Sequence, residues 1–359
     1  MAALSGSLER FADGEIALKH PALQIFEKKA RPETAAEAKA PEPDAPPAEA
    51  PDEKASDPKA PEPKTRDAPA PAPVYPKLSL KERGASEGGL SPPVTSVKLP
   101  LVRFGYRFGH NGAHSARTMM FDEIVALLDR LPETASRADY RREVIERNAL
   151  GKPTQKSREL TLRHLVGLYG LEPALPLFRV FRKFWGQDKA AQPVLALSLA
   201  LARDPLLRTS QDFILDKQPG ERVTREELER FLAANHPDRF SPASLKSFAQ
   251  NINGSWTRAG YLTGRVRKIR AVPAIGPANV AFCLFLGYLE GRSGQRLFAS
   301  PWLRLLSDSP VELERLATLA AQRESIVFLS AGGIQEIRFP GYLTAEEESW
   351  RHEQDHPTG

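Results

Sequence analysis

Thr224-Arg225-Glu226-Glu227-Leu228-Glu229-Arg230-Phe231-Leu232, then Ser241-Pro242-Ala243-Ser244-Leu245-Lys246-Ser247-Phe248-Ala249-Gln250-Asn251-Ile252-Asn253-Gly254-Ser255-Trp256-Thr257-Arg258, then Arg265-Val266-Arg267-Lys268-Ile269-Arg270: these three segments decide the fold. Thr224 followed three residues later by Glu227 is a capping box, and Leu228, Phe231 and Leu232 form the apolar stripe behind it. Asn235 to Phe240 reads as a turn. Ser241-Pro242 supplies an N-cap and a proline at the first helical position. The helix that follows buries Leu245, Phe248, Ile252, Trp256 and Ala259, spaced by three and four. Its other face carries Lys246, Ser247, Gln250, Asn251, Asn253, Thr257 and Arg258, all hydrogen-bond donors and none negative. Gly260 or Gly264 ends it, the basic segment with Arg265, Arg267, Lys268 and Arg270 comes next, and an apolar helix from Asn279 to Leu289 closes the unit.

Helix, turn, capped helix, basic extended segment, helix is the order of a winged helix-turn-helix. A helix about 10–12 Å across fits the major groove of B-DNA, and exposed amides and hydroxyls on it reach base edges. Trailing cations contact flanking phosphates. Charge placement favours this reading: from Arg239 to Leu289 there are 51 residues with seven Lys or Arg and no carboxylate. Wherever such a stretch folds together it holds a positive field, whereas an ordinary solvated face mixes signs. Arg265 to Ile275 has no Gly, Asn or Asp, so a single basic strand is expected there rather than a two-stranded wing. The competing reading is a helical adaptor whose basic face meets an acidic partner protein, with no direct DNA contact.

Outward from this unit the chain is mainly α. Arg103 to Phe108 alternates basic and aromatic residues around Gly105, which suits a strand or extended arm. Ser115 is placed to cap a helix with Met120, Ile124, Leu127, Leu128 and Leu131 on its apolar face. A second helix from Arg137 to Arg147 stops at Asn148, and Thr154 opens a third. Leu175 to Trp185 and Val194 to Leu207 are apolar all round and are expected in the core. Ile326 to Leu329 and Ile334 to Phe339 flank Gly332-Gly333 as a β-hairpin with a loop longer than two residues. The expected organisation is a tail or docking peptide (1–30), a disordered tether (31–100), a helical domain with its own helix-turn-helix-like unit (101–220), a winged-helix-like domain (221–307), a helix plus hairpin (308–343) and a tail (344–359).

The tether rests on proline: 16 of the chain's 32 prolines fall between residues 31 and 100, among Ala, Glu, Asp and Lys. Such a segment has too little apolar surface to offset its ordering entropy. Over all 359 residues, 50 Lys and Arg against 45 Asp and Glu give a net charge of +5, mildly basic and undiagnostic alone. One cysteine, Cys283, excludes a disulfide framework and a CxxC redox pair. No secretory signal and no apolar run of bilayer length is visible, so a cytoplasmic, non-membrane protein is expected. His352-Glu353-Gln354-Asp355-His356 matches the H-E-x-x-H zinc string only formally, next to Pro357 and near the chain end. His110 and His114 flank a short loop without further ligands. No phosphate-cradling glycine loop, nucleophile elbow or dinucleotide fingerprint occurs, so no catalytic residue, metal, cofactor or small-molecule substrate is expected.

Arg103-Phe104-Gly105-Tyr106-Arg107-Phe108, Arg142-Glu143-Val144-Ile145-Glu146-Arg147-Asn148-Ala149-Leu150 and Gly151-Lys152-Pro153-Thr154-Gln155-Lys156-Ser157-Arg158 stand in an order that resembles the BrxA family of the BREX bacteriophage-exclusion systems. Ser241 to Leu262 and Ala299-Ser300-Pro301-Trp302-Leu303 sit where that family has its last helix-turn-helix-like unit and C-terminal segment, so the likeness covers roughly 103–307. The resemblance implies a small, non-catalytic, double-stranded-DNA-binding protein working beside other phage-defence proteins. It also points to Thr154, Lys156, Ser157 and Arg158 as a second DNA contact. The tether, Asn148-Ala149-Leu150 in place of two leucines, and the hairpin after residue 310 depart from the family.

Overall fold

The computed structural model describes residues 99–109 and 112–352, all within one compact unit spanning Ala85–Gly359. The expected tail or docking peptide of residues 1–30, residues 31–98 of the expected tether, His110, and the last four residues of the H-E-x-x-H string lie outside the described residues, whereas Leu99 and Pro100, expected in the tether, open a helix. The fold is mainly helical, with a three-stranded sheet and a C-terminal hairpin. None of the described helices is long and apolar enough to cross a membrane.

Three apolar helices make the centre. α5 (Pro176–Trp185), α6 (Gln192–Arg203) and α10 (Pro277–Leu289) pack together, and α10 also packs on α12 (Pro301–Leu306) and α13 (Pro310–Gln322). Nearly every residue of α6 and α10 is buried, which is what all-round hydrophobicity requires. The Val194–Leu207 run is not one helix. Asp204 caps α7 (Pro205–Leu215), and Pro205 at its first position lacks the N–H that would continue α6.

The N-terminal half differs from the expectation in two places. Arg103–Phe108 is not a strand: α1 (Leu99–Phe104) ends at Gly105, φ +110°, and Phe104 and Tyr106 are both buried. Tyr106 Oη donates to Leu286 O at 3.0 Å, so the core takes up both aromatics and the alternation reports two helix-turn contacts. Ser115 caps no helix. It sits in a 3₁₀ turn (Ala113–Ser115), and α2 (Phe121–Leu128) starts after Met120 in the left-handed conformation. α3 (Arg137–Arg141) runs into one π turn (Arg142–Glu146) and the chain reverses at Asn148, φ +48°, as its sequence suggests. Thr154 caps α4 (Gln155–Tyr169).

At the C-terminus β4 (Val327–Ala331) pairs antiparallel with β5 (Ile334–Arg338). Ala331 pairs with Ile334, so the loop is Gly332-Gly333 alone, both at positive φ, shorter than expected and of the tight hairpin kind. Residues after 344 are not only a tail: α14 (Ala345–His352) is tied down by the Arg179–Glu347 ion pair, and Trp350 lies against Phe104.

Candidate nucleic-acid interface

The stretch from 222 to 270 folds around two helices. β1 (Arg222–Val223) precedes α8 (Arg225–Asn235), whose cap is the Thr224–Glu227 box. The Asn235–Phe240 turn leads to Ser241, which caps α9 (Pro242–Arg258) through Ser244 N–H. After α9 come β2 (Leu262–Thr263) and β3 (Lys268–Arg270). The strand order is β1-β3-β2, with Val223 opposite Lys268 and Leu262 opposite Arg270, all antiparallel. Gly260, φ +86°, ends α9; Gly264, φ +87°, opens the β2–β3 turn. A two-stranded hairpin therefore carries the basic residues where a single strand was expected. Its turn glycine, Gly264, stands one position before the Arg265–Ile275 stretch.

The structure places the expected site residues in two groups. Lys246, Ser247 and Gln250 are exposed on the N-terminal half of α9, and Arg265 and Arg267 are exposed at the hairpin turn. Lys268 is half-buried, its Nζ donating to Gly264 O at 2.7 Å, and burial lowers its pKa. Between helix and hairpin lies a groove of about 560 Å³, lined by Gln250, Asn253, Arg222, Arg225 and the Arg265–Lys268 segment. Glu226 is the one carboxylate on its walls and pairs with Arg225 at 2.7 Å. Its own backbone N–H, ahead of the Arg225 charge, keeps that carboxyl below its usual range.

The second group holds the fold together. Asn251 Nδ2 donates to His114 O at 3.1 Å, Thr257 Oγ1 to Asn253 O, and Arg258 pairs with Asp122 while lying over Phe121. Arg270 Nε donates to Ile214 O at 3.1 Å and its guanidinium covers Tyr261, with burial lowering its pKa. Asn253 is buried. At the start of α4, Thr154 and Ser157 cap one another, and Arg158 donates to Ile145 O at 2.8 Å; Thr154 and Lys156 are exposed, and Lys156 alone of the four takes no part in the capping or the Ile145 contact. The four are not close enough to the groove to line it.

Two features are absent from the sequence reading. Arg222 and Arg225 add cations to the groove; β1, only two residues long, carries no periodicity that would reveal it. The other is a buried fastening under α9. His114 Nδ1 lies 2.9 Å from Asp204 Oδ2, and His114 Nε2 lies 2.8 Å from Ser255 Oγ. Ser255 Oγ also accepts Met119 N–H, and Asp204 accepts the N–H groups of His114 and Leu207. Burial pushes the Asp204 carboxyl up, but the His114 charge and these hydrogen bonds together outweigh it and hold the pKa at about 2. The order Ser–His–Asp is that of a nucleophilic triad, yet all three residues are sealed in the interior. Their hydrogen bonds join the 112–119 loop, the α6–α7 junction and α9. Among the described residues no cluster of three or more His, Cys, Asp or Glu is placed to hold a metal ion.

No family model matches the chain, and no curated protein matches it.

Proposed function

We propose that this chain is a non-catalytic subunit that binds double-stranded DNA through a winged helix-turn-helix formed by β1, α8, α9, β2 and β3. The observation that carries the reading is the groove between α9 and the β2–β3 hairpin, lined by five cations and a single, already paired carboxylate. The strand order around two capped helices is the one a winged helix uses. In this reading Lys246, Ser247 and Gln250 enter the major groove, where an exposed amide reads base edges. Arg265, Arg267, Lys268 and Arg222 meet phosphates, which set register and orientation. The BrxA-like motifs at 103–158 extend the proposal to a bacterial phage-defence setting with other defence proteins as partners, an extension that rests on the resemblance.

The test is a titration of the full chain against a labelled random duplex at several salt concentrations. Each neutralised phosphate contributes about −0.9 to the slope of log affinity against log salt, so the four cations assigned to phosphates predict a slope of about −3.6. Replacing Arg265, Arg267 and Lys268 with Ala should bring it to about −0.9. Absence of binding at low salt rejects the reading, and an unchanged slope in the triple variant moves the contact elsewhere. Phage plating on cells with and without the chain tests the defence setting.

A further inference from the structure

The groove contains more than a phosphate track requires. Asn253, 5% exposed, forms part of its wall, and the buried Oδ1 of that side chain has no hydrogen-bond partner. A buried acceptor without a donor is costly, and native structures contain few of them. Asn251, two residues earlier, shows the contrast: its amide is committed to His114 O. Beside Asn253 the wall carries the exposed Gln250 amide, with Arg222, Arg265, Arg267 and Lys268 on the facing sides. The volume, about 560 Å³, is that of a small-molecule site. Surface cations alone would serve a passing backbone; a cavity of this size with an orphan amide oxygen fits a ligand that brings both a negative group and a donor edge.

We propose that this groove seats one unstacked nucleotide. Its phosphate meets Arg265, Arg267, Lys268 and Arg222, and its base edge meets the Asn253 amide. Adenine fits best, because N6–H donates to an amide oxygen while N7 accepts from the amide nitrogen. The inference rests on reading this face as one that meets nucleic acid, but not on the duplex itself. The nucleotide comes either from DNA, turned out of the stack where pairing is already weak, or from a free nucleoside phosphate.

The full chain is titrated with a perfect duplex, with the same duplex carrying one unpaired adenine or one unpaired thymine, and with free dAMP or TMP by calorimetry. The unpaired adenine should tighten binding about tenfold, the scale of one hydrogen bond made in a buried site, and thymine by less than threefold. Asn253→Leu should remove the adenine gain while leaving perfect-duplex affinity and its salt slope unchanged. Asn253→Ser, which keeps the space open, should do the same, and thermal melts of both variants establish that they fold. A gain that persists in both variants overturns the seat. Perfect-duplex binding with no adenine gain and no dAMP binding also overturns it, while leaving the duplex reading intact. dAMP binding without duplex binding keeps the seat, makes a free nucleotide its source and removes the duplex reading. An adenine gain without dAMP binding assigns the source to DNA.

Discussion

Asp204→Asn removes the centre of the fastening under α9. The carboxylate accepts three donors, His114 N–H and Nδ1–H on Oδ2 and Leu207 N–H on Oδ1. An asparagine keeps one oxygen and turns an NH₂ toward a donor, so at least one buried donor loses its acceptor and the His114 ring loses its charged partner. Breaking a buried pair of this kind costs about 3–5 kcal/mol. The pH dependence gives an independent figure. A carboxyl held at about 2 when folded, against about 3.9 when unfolded, contributes about 2–3 kcal/mol. The folded pKa is the lower one, so this stability is complete above pH 4 and is lost as pH falls toward 2. Urea unfolding of the wild type and of Asp204→Asn, at pH 7 and at steps from 5 to 2.5, measures both quantities. The wild type should be about 3 kcal/mol or more the stabler at neutral pH, and the gap should narrow steadily below pH 4. Taking the difference cancels the contributions of exposed carboxylates such as Asp139 and Glu312, which are also lowered by their partners. A variant within 1 kcal/mol of wild type at pH 7, or a gap constant down to pH 2.5, refutes the reasoning.

Arg270→Ala should lower stability by about 1–3 kcal/mol, because its guanidinium serves buried carbonyls, and leave the salt slope of duplex binding unchanged; urea melts and the salt titration check the two halves. Gly264→Ala places a Cβ 2.1 Å from Arg267 O at φ +87°, so the hairpin turn must open. The expected cost is about 1–3 kcal/mol in urea unfolding, with weaker low-salt duplex binding in a chain that remains folded. Cys283 is fully buried and its thiol is pushed up to about 12, so a thiol reagent at pH 8 should react with it only after denaturation; a stoichiometric reaction in the native chain contradicts this packing.

Three helix starts were legible because capping is local chemistry, whereas Ser115 caps nothing. Thr224 with Glu227, Ser241 with Pro242, and Thr154 all act within one turn of their own helix, and each begins a helix in the structure. The hairpin was not legible as two strands. Leu262 pairs with Arg270 only eight residues on, but strands of two and three residues have no alternation to read, and the third strand joins through Val223 and Lys268, which are far apart in sequence. The polar face of α9 was legible as polar but not in its direction. Gly254 meets Thr118, Asn251 meets His114, and Arg258 meets Asp122, so the 112–122 segment covers the flank that a helical wheel leaves open. Lys246, Ser247 and Gln250 escape that cover, and Arg258 stays exposed beside Asp122. Thr154 and Ser157 show the same ambiguity, since hydroxyls that suit a phosphate also suit a cap.

That cover has a consequence for how α9 works. A helix that reads a groove is most effective when its orientation is already fixed, because ordering it on contact would cost conformational entropy. Here α9 is held on its inner side by Ser255 and on its flank by Asn251 and Arg258, while the groove side carries the hairpin cations. His114, Asp204 and Ser255 are therefore positioning residues in the proposed function, remote from any phosphate. Their loss should act on the fraction of folded chain and leave the contacts alone. Below its melting temperature, Asp204→Asn should bind duplex with the wild-type salt slope, whereas the Arg265, Arg267 and Lys268 triple variant should melt like wild type and lose the slope. The two variants then separate the fastening of the helix from the contacts it presents. A changed slope in Asp204→Asn would mean that the fastening sets which cations reach the phosphates as well as holding the helix.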